Sequence, residues 1–239
     1  FTAPFLNVEE DKFVRRRLAS CVRELEQKLR KRGSPRKSFS FYPGETYRSA
    51  YSQVTYIDAC AVALGALALS GYDDRPGGPD YLERRKPLGQ ADAWLHFGIN
   101  AIYEEIIRPM TASNGYYREG HAYMHMAENR SGAALWLSLG NIGVDIFRLY
   151  PTLERMHELF LRDRLPNGWC PPINDCRASE ALPQILYVDL YTEEEVRKAA
   201  LWDWNNQKHT KHGTVPDSHY GPLFLLFDRP GKKKIGEIP

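Results

Sequence analysis

The stretch Ile57-Asp58-Ala59-Cys60-Ala61-Val62-Ala63-Leu64-Gly65-Ala66-Leu67-Ala68-Leu69 is apolar nearly all the way round a helix and is built from Ala, Val, Leu and Gly. Such a helix has no polar face to offer water, so it is buried on most sides and the rest of the chain must supply its cover. The spacing predicts this helix over residues 48–70, ended by Gly71. Upstream, Asn7 followed three residues later by Glu10 is a capping-box signal, and Phe13, Val14, Leu18, Cys21, Val22, Leu25 and Leu29 recur at helical spacing up to Gly33 and Pro35. Residues 33–45, rich in Ser, Pro, Lys and aromatics, show no period and read as a surface loop.

Downstream of Gly71 the Asp73–Pro79 stretch is turn-rich. A helix is expected over residues 88–108, with Ala91, Leu95, Ile99, Ile102 and Ile106 on its inner side, stopped by Pro109 and the Asn114-Gly115 turn. The longest helical candidate covers residues 120–148 and mixes small and large apolar residues, among them Ala133, Leu135, Leu139 and Val144. Shorter helices fit residues 152–164, 179–190, 192–204 and 218–227, and no segment sustains the period-two alternation of a strand. Amphipathic helices alternating with buried ones imply an all-α fold in which outer helices sheathe inner ones. An incomplete (α/α) toroid of antiparallel helical hairpins satisfies this pattern, and periodicity equally allows an irregular bundle.

The 239 residues suffice for one sizeable domain, and a single helical domain over residues 1–239 is the reading adopted. Hydrophobic residues at 43% and charged residues at 26% exclude a wholly disordered or collagen-like chain. A net charge of +2 gives no general reason to expect nucleic acid. The local clusters Arg15-Arg16-Arg17, Arg30-Lys31-Arg32 and Lys232-Lys233-Lys234 read as solvated charge or as attraction for a polyanion. No apolar run approaches the ~18 residues of a membrane span. The first residues lack an initiator Met and the layout of a signal peptide, so an excised or processed piece is expected. Of the four cysteines, Cys21 and Cys60 read as core residues, while Cys170 and Cys176 bracket a Pro171-Pro172 loop that either closes a small disulfide or carries free thiols.

Functional side chains are densest in Asn114-Gly115-Tyr116-Tyr117-Arg118-Glu119-Gly120-His121-Ala122-Tyr123-Met124-His125, where a tight turn feeds a helix. Glu119 and Tyr123 are four apart and share a face once helical, with Tyr116 near the same line. A phenol, a carboxylate and flanking aromatics there form one wall of a cleft, or Tyr116 and Tyr123 are core tyrosines with tied-down hydroxyls. His121 and His125, with Glu128 a turn further on, have a spacing that suits a metal, but no Glu lies between the two histidines and no further ligand is identifiable, so no metal and no cofactor is assigned. His209 and His212 fit an exposed loop. A second cluster, residues 166–175, presents Trp169 and Asp175 on a Pro-rich loop, a platform for a sugar ring or a cap over a helix end.

In this order the two clusters resemble the toroid domain of the heparinase II/III-like polysaccharide lyases. Gly115, Tyr116, Glu119, Gly120 and Tyr123 fill that family's Gly-aromatic, Glu, Gly/Ser, Tyr pattern. Pro166, Asn167, Gly168, Pro171 or Pro172, and Asp175 fill its Pro-Asp/Asn-Gly turn leading to Asp, and Ala66-Leu67-Ala68-Leu69 is similar to the end of its inner helix. The resemblance covers roughly residues 48–175. It implies a periplasmic or extracellular lyase that cleaves an acidic polysaccharide, heparan sulfate- or alginate-like, by β-elimination. It also implies a C-terminal β-sandwich domain of the same protein as partner, expected beyond Pro239. By the same resemblance Tyr123 is the proton-transfer residue, assisted by His125, and Gln53 stands where the family's carboxylate-neutralising Asn or His would be. Tyr117, Glu119, His121, Trp169 and Asp175 would bind substrate. Two other readings make different predictions: a toroid glycoside hydrolase using Asp145 and Asp175, and a non-catalytic glycan-binding domain.

Overall fold

The computed structural model describes residues 6–32, 53–72, 90–108, 111–120, 123–124, 127–163, 165, 169–171, 179–180 and 187–207. Most of these residues are helical and the rest are turns and loops with one two-residue antiparallel strand pair, so the all-α class holds. The chain divides into two compact units, Phe1–Ile106 and Ile107–Pro239, and the single domain expected over residues 1–239 takes in both. Among the described residues no helix is long and apolar enough to cross a membrane.

In the first unit, helix α1 (Val8–Arg32) starts where the capping signal lies. Asn7 Oδ1 accepts from the backbone N–H groups of Glu9 (3.1 Å) and Glu10 (2.9 Å), and Glu10 Oε2 accepts from Asn7 N–H at 2.8 Å. The exchange satisfies donors that a helix start leaves open. Helix α2 (Gln53–Ala68) is the inner member, burying Tyr56, Ala59, Cys60, Val62, Ala63 and Ala66. Helices α1 and α3 (Gln90–Asn100) both pack against it. Small residues set the approach: a Cβ on Gly65 would lie 2.5 Å from Val22 Cγ2, and one on Gly98 would lie 2.9 Å from the Ala59 carbonyl oxygen. Between α1 and α3, Trp94 Nε1 donates to Glu26 Oε2 at 3.0 Å, and the Arg30 guanidinium sits 4.3 Å from the Phe97 ring centre. Helix α3 runs on as a π-helical turn over Ala101–Ile107.

The apolar face of α1 differs from the expected one. Ala19, Val22 and Leu29 are buried, whereas Phe13, Val14 and Cys21 are exposed. At ~100° per residue, Cys21 lies about a quarter-turn from Val22 and Phe13 about half a turn, so neither falls on the line facing α2. Cys60, by contrast, is fully buried in α2.

The second unit contains α4 (Ala133–Asn141), α5 (Ile146–Leu149), α6 (Pro151–Arg162), β1 (Trp169–Cys170), β2 (Ser179–Glu180) and α7 (Glu194–Gln207). The strands pair Trp169 with Glu180 and Cys170 with Ser179. The long helix expected over residues 120–148 is not continuous. A π-helical turn, Glu128–Gly132, precedes α4, and α4 ends at Asn141, two residues before Gly143, whose φ of +86° reverses the chain. Val144 N–H then reaches back to Leu139 O at 3.0 Å, and Asp145 Oδ1 caps α5 by accepting from Arg148 N–H at 3.0 Å. The helix expected over residues 179–190 is also absent where it is described: Ser179–Glu180 is strand, and Tyr187–Leu190 is a turn closed by Leu190 N–H on Tyr187 O at 2.8 Å. Pro183 lies in the middle of that stretch, and a proline there opposes a helix through it.

Candidate functional site

The Asn114-Gly115 signal forms two consecutive tight turns. Thr111 and Tyr117 make an antiparallel bridge, Ala112 N–H donates to Tyr116 O (2.8 Å), and Gly115 N–H donates to Ala112 O (2.9 Å). Asn114 Oδ1 accepts from Tyr116 N–H at 3.1 Å, the local turn chemistry that Asn favours. Gly115 has φ of +90° and lies directly on the backbone of α6: a Cβ there would collide with the Arg155 carbonyl and come within 2.7 Å of Met156 N. Arg155 Nη1 fastens the same turn by donating to Ser113 O at 3.0 Å. A second turn follows, closed by Gly120 N–H on Tyr117 O at 2.9 Å, with Gly120 at φ of +88°.

Glu119 and Tyr123 do not stand on one helix as the spacing assumed. Glu119 lies in the turn before Gly120, not on the helix, and Tyr117 hydroxyl donates to Glu119 Oε2 at 3.2 Å. Tyr117 is buried, and burial first, then the Glu119 charge and their hydrogen bond, hold its phenol well above the usual range. Tyr117 is therefore a permanent donor that orients a half-exposed carboxylate. Whatever Tyr117 offers a ligand passes through Glu119. Tyr123 is half-buried in the short helical stretch with Met124, three residues beyond Gly120.

Of the other sequence candidates, Gln53 begins α2 and so belongs to the first unit, while Tyr117, Glu119, Tyr123 and Trp169 belong to the second. The backbone of Trp169 is in β1. His121, His125, Asp175, Cys176, His209 and His212 lie outside the described residues, as does the helix expected over 218–227. Among the described residues no three His, Cys, Asp or Glu side chains gather as metal ligands. Asp145, a carboxylate of the hydrolase alternative, is committed to capping α5.

A buried polar network takes Glu128, which the sequence offered only as a neighbour of His121 and His125, and joins it to residues outside the motifs. The Glu128 carboxylate, fully buried, accepts from Tyr187 hydroxyl (2.8 Å) and Trp136 Nε1 (3.3 Å). Gly132 leaves it room, since a Cβ there would lie 2.9 Å from the carboxylate. The Tyr187 ring lies edge-on to His157, 4.6 Å between centres, and His157 Nδ1 is 3.1 Å from Tyr191 hydroxyl. Burial pushes the His157 imidazole down to about 3, so it is neutral at ordinary pH. The signal for this network is present in α6: Glu154 and His157 sit among Leu153, Met156 and Phe160 on one helix face, and polar residues inside an apolar stripe demand buried partners. No protein-family model, curated protein or solved structure matches the chain.

Proposed function

We propose that the chain is the helical toroid part of a heparinase II/III-like polysaccharide lyase, cleaving a uronic-acid-containing acidic polysaccharide by β-elimination. The observation that carries this reading is the double turn Thr111–Gly120, seated on α6 through Gly115, which holds the Tyr117–Glu119 pair just ahead of Tyr123. In the reaction a base takes the proton α to the uronate carboxylate, the glycosidic oxygen departs from the neighbouring carbon with a proton from an acid, and a carbon–carbon double bond remains. Tyr123 serves as the acid, and as base once positive charge lowers its phenol from its ordinary ~10. Arg118, His121 or His125 supply that charge. Glu119, oriented by Tyr117, accepts from sugar hydroxyls, with Trp169 and Asp175 as further sugar contacts. A β-sandwich domain of the same protein closes the cleft, and the enzyme acts in the periplasm or outside the cell.

The test is ultraviolet absorbance of the full-length protein's products from heparan sulfate, chondroitin sulfate and alginate. A lyase generates a double bond conjugated to the carboxylate and therefore a rising absorbance, which Tyr123→Phe abolishes while substrate still binds. Reducing ends that appear without absorbance, or unchanged turnover in Tyr123→Phe, would overturn the proposal.

A further inference from the structure

The segment Tyr187–Glu193 crosses the second unit as a strap held at two buried points and one part-buried point. Tyr187 hydroxyl donates to Glu128 Oε2 at 2.8 Å. Tyr191 hydroxyl meets His157 Nδ1 at 3.1 Å. Glu154 takes both Thr192 Oγ1 and, at 2.8 Å, the backbone N–H of Glu193, which leads into α7. Between these points Leu190 packs into the space left by Gly140 of α4. Every holding group on the far side of the strap is thus a buried titratable side chain, on α6 or on the π-helical turn before α4.

We propose that this strap is an acid-released latch, opened by protonation of His157. The imidazole is enclosed by aromatic rings, with centres 5.2 Å (Phe147), 6.2 Å (Phe160), 4.6 Å (Tyr187) and 5.9 Å (Tyr191) away. Its Nε2 is buried with no hydrogen-bond partner, so a second N–H on the ring has no acceptor while the strap is closed. The imidazolium is solvated only if the rings of Tyr187 and Tyr191, both on the strap, withdraw.

Among the described residues the titratable and charged groups around the site come from α5, α6, α7, the π-helical turn and the strap. On α6 they are Glu154 and His157; from the π-helical turn comes Glu128, screened from the imidazole by Tyr187. The strap carries the exposed Asp189 and Glu193. Helix α5 offers the exposed Arg148, and α7, packed on α6, brings the buried Asp203. The Glu128 and Glu154 carboxylates are engaged in accepting from Tyr187, Trp136, Thr192 and Glu193, not from the imidazole. Because α6 also seats the Thr111–Tyr117 turn through Gly115 and Arg155, opening the strap removes packing from the helix that supports the candidate site.

The experiment is hydrogen exchange of the whole protein followed by mass spectrometry, with protection corrected for intrinsic rates. With His157 near its ordinary 6.5 in the open state and about 3 in the closed state, opening of the strap rises roughly 25-fold from pH 7 to pH 5. The expected result is that protection of residues 187–193 falls by that factor while α4 and α6 keep theirs. In His157→Gln the strap's protection is flat over the same range. Tyr191→Phe leaves the imidazole buried and tests the latch independently: the strap loosens already at pH 7 and keeps its pH dependence. Unchanged strap protection in the wild type, loss spread equally over α4 and α6, or a 25-fold response that persists in His157→Gln each overturns the latch.

Discussion

Replacing Gly115 with Ala loads two separable penalties onto one methyl group. The first is conformational: φ of +90° is left-handed backbone, which costs a non-glycine residue about 1–2 kcal/mol. The second is steric. The new Cβ meets the Arg155 carbonyl, with its carbon 2.5 Å away, and Met156 N at 2.7 Å. These are backbone atoms of α6 and cannot swing aside as a side-chain tip does, so overpacking adds about 1–3 kcal/mol. The sum, about 2–5 kcal/mol, is a large part of a domain's stability. Gly143→Ala isolates the first penalty, because Gly143 has φ of +86° and nothing lies within 4 Å of where its methyl group would stand. Urea unfolding of both variants beside the wild type measures the difference as midpoint shifts at constant slope. The expected order is Gly143→Ala down about 1–2 kcal/mol and Gly115→Ala down further by the steric part. If Gly115→Ala is no more damaging than Gly143→Ala, the turn does not sit on α6 and the positioning argument for Tyr117 and Glu119 fails.

Glu128→Ala strands the Tyr187 hydroxyl and the Trp136 indole N–H in the core, a loss on the order of 2–5 kcal/mol by urea titration, with a change in Trp136 fluorescence at low denaturant. Tyr117 governs the alkaline limb: its phenol is raised in the fold, so its contribution is complete below the ordinary value of ~10 and is lost as pH climbs above it, where the unfolded chain gives up the proton first. Tyr117→Phe therefore flattens stability against pH above ~10 while costing roughly 1 kcal/mol at neutrality for the lost bond to Glu119; an unchanged alkaline limb would contradict it. Asn7→Ala removes the acceptor for Glu9 and Glu10 N–H at the start of α1 and costs about 1 kcal/mol, read as a lower thermal midpoint.

Helix existence is legible wherever one segment's own pattern decides it. Asn7 and Glu10 announce α1, whose described residues run to Arg32, and the unbroken apolar surface of Ile57–Leu69 announces an inner helix that α1 and α3 cover. The failures have two causes. Phe13, Val14 and Cys21 satisfy a helical period, but which stripe of a helix is buried is set by the partner, here α2 contacting the Val22 side. Residues 120–148 have a helical period throughout, yet Gly120 and Gly143 adopt positive φ and Glu128–Gly132 winds as a π-helical turn. An average over the window conceals a single residue that turns the chain.

At the candidate site the same logic separates what spacing can say from what it cannot. Four-residue spacing links Glu119 to Tyr123 on the assumption that both stand on one helix; Gly120, at positive φ, leaves Glu119 in the turn before the helix, where Tyr117 hydroxyl donates to it. The residues that fill the motif nevertheless acquire distinct physical duties. Gly115 is there because α6 leaves no room for a side chain, and Gly120 because the turn requires positive φ. Both glycines serve to place the residues around them, which is how a site is built on rigid supports. The network of Glu128, His157 and Glu154 is legible only as a demand, three polar side chains among apolar neighbours, whose answer lies up to 59 residues away at Tyr187. Long-range partners of that kind carry no local signature. Tyr123 keeps its place in the proposal on different grounds from Glu119: it follows the double turn at a half-buried position, where a phenol can be both held and reached.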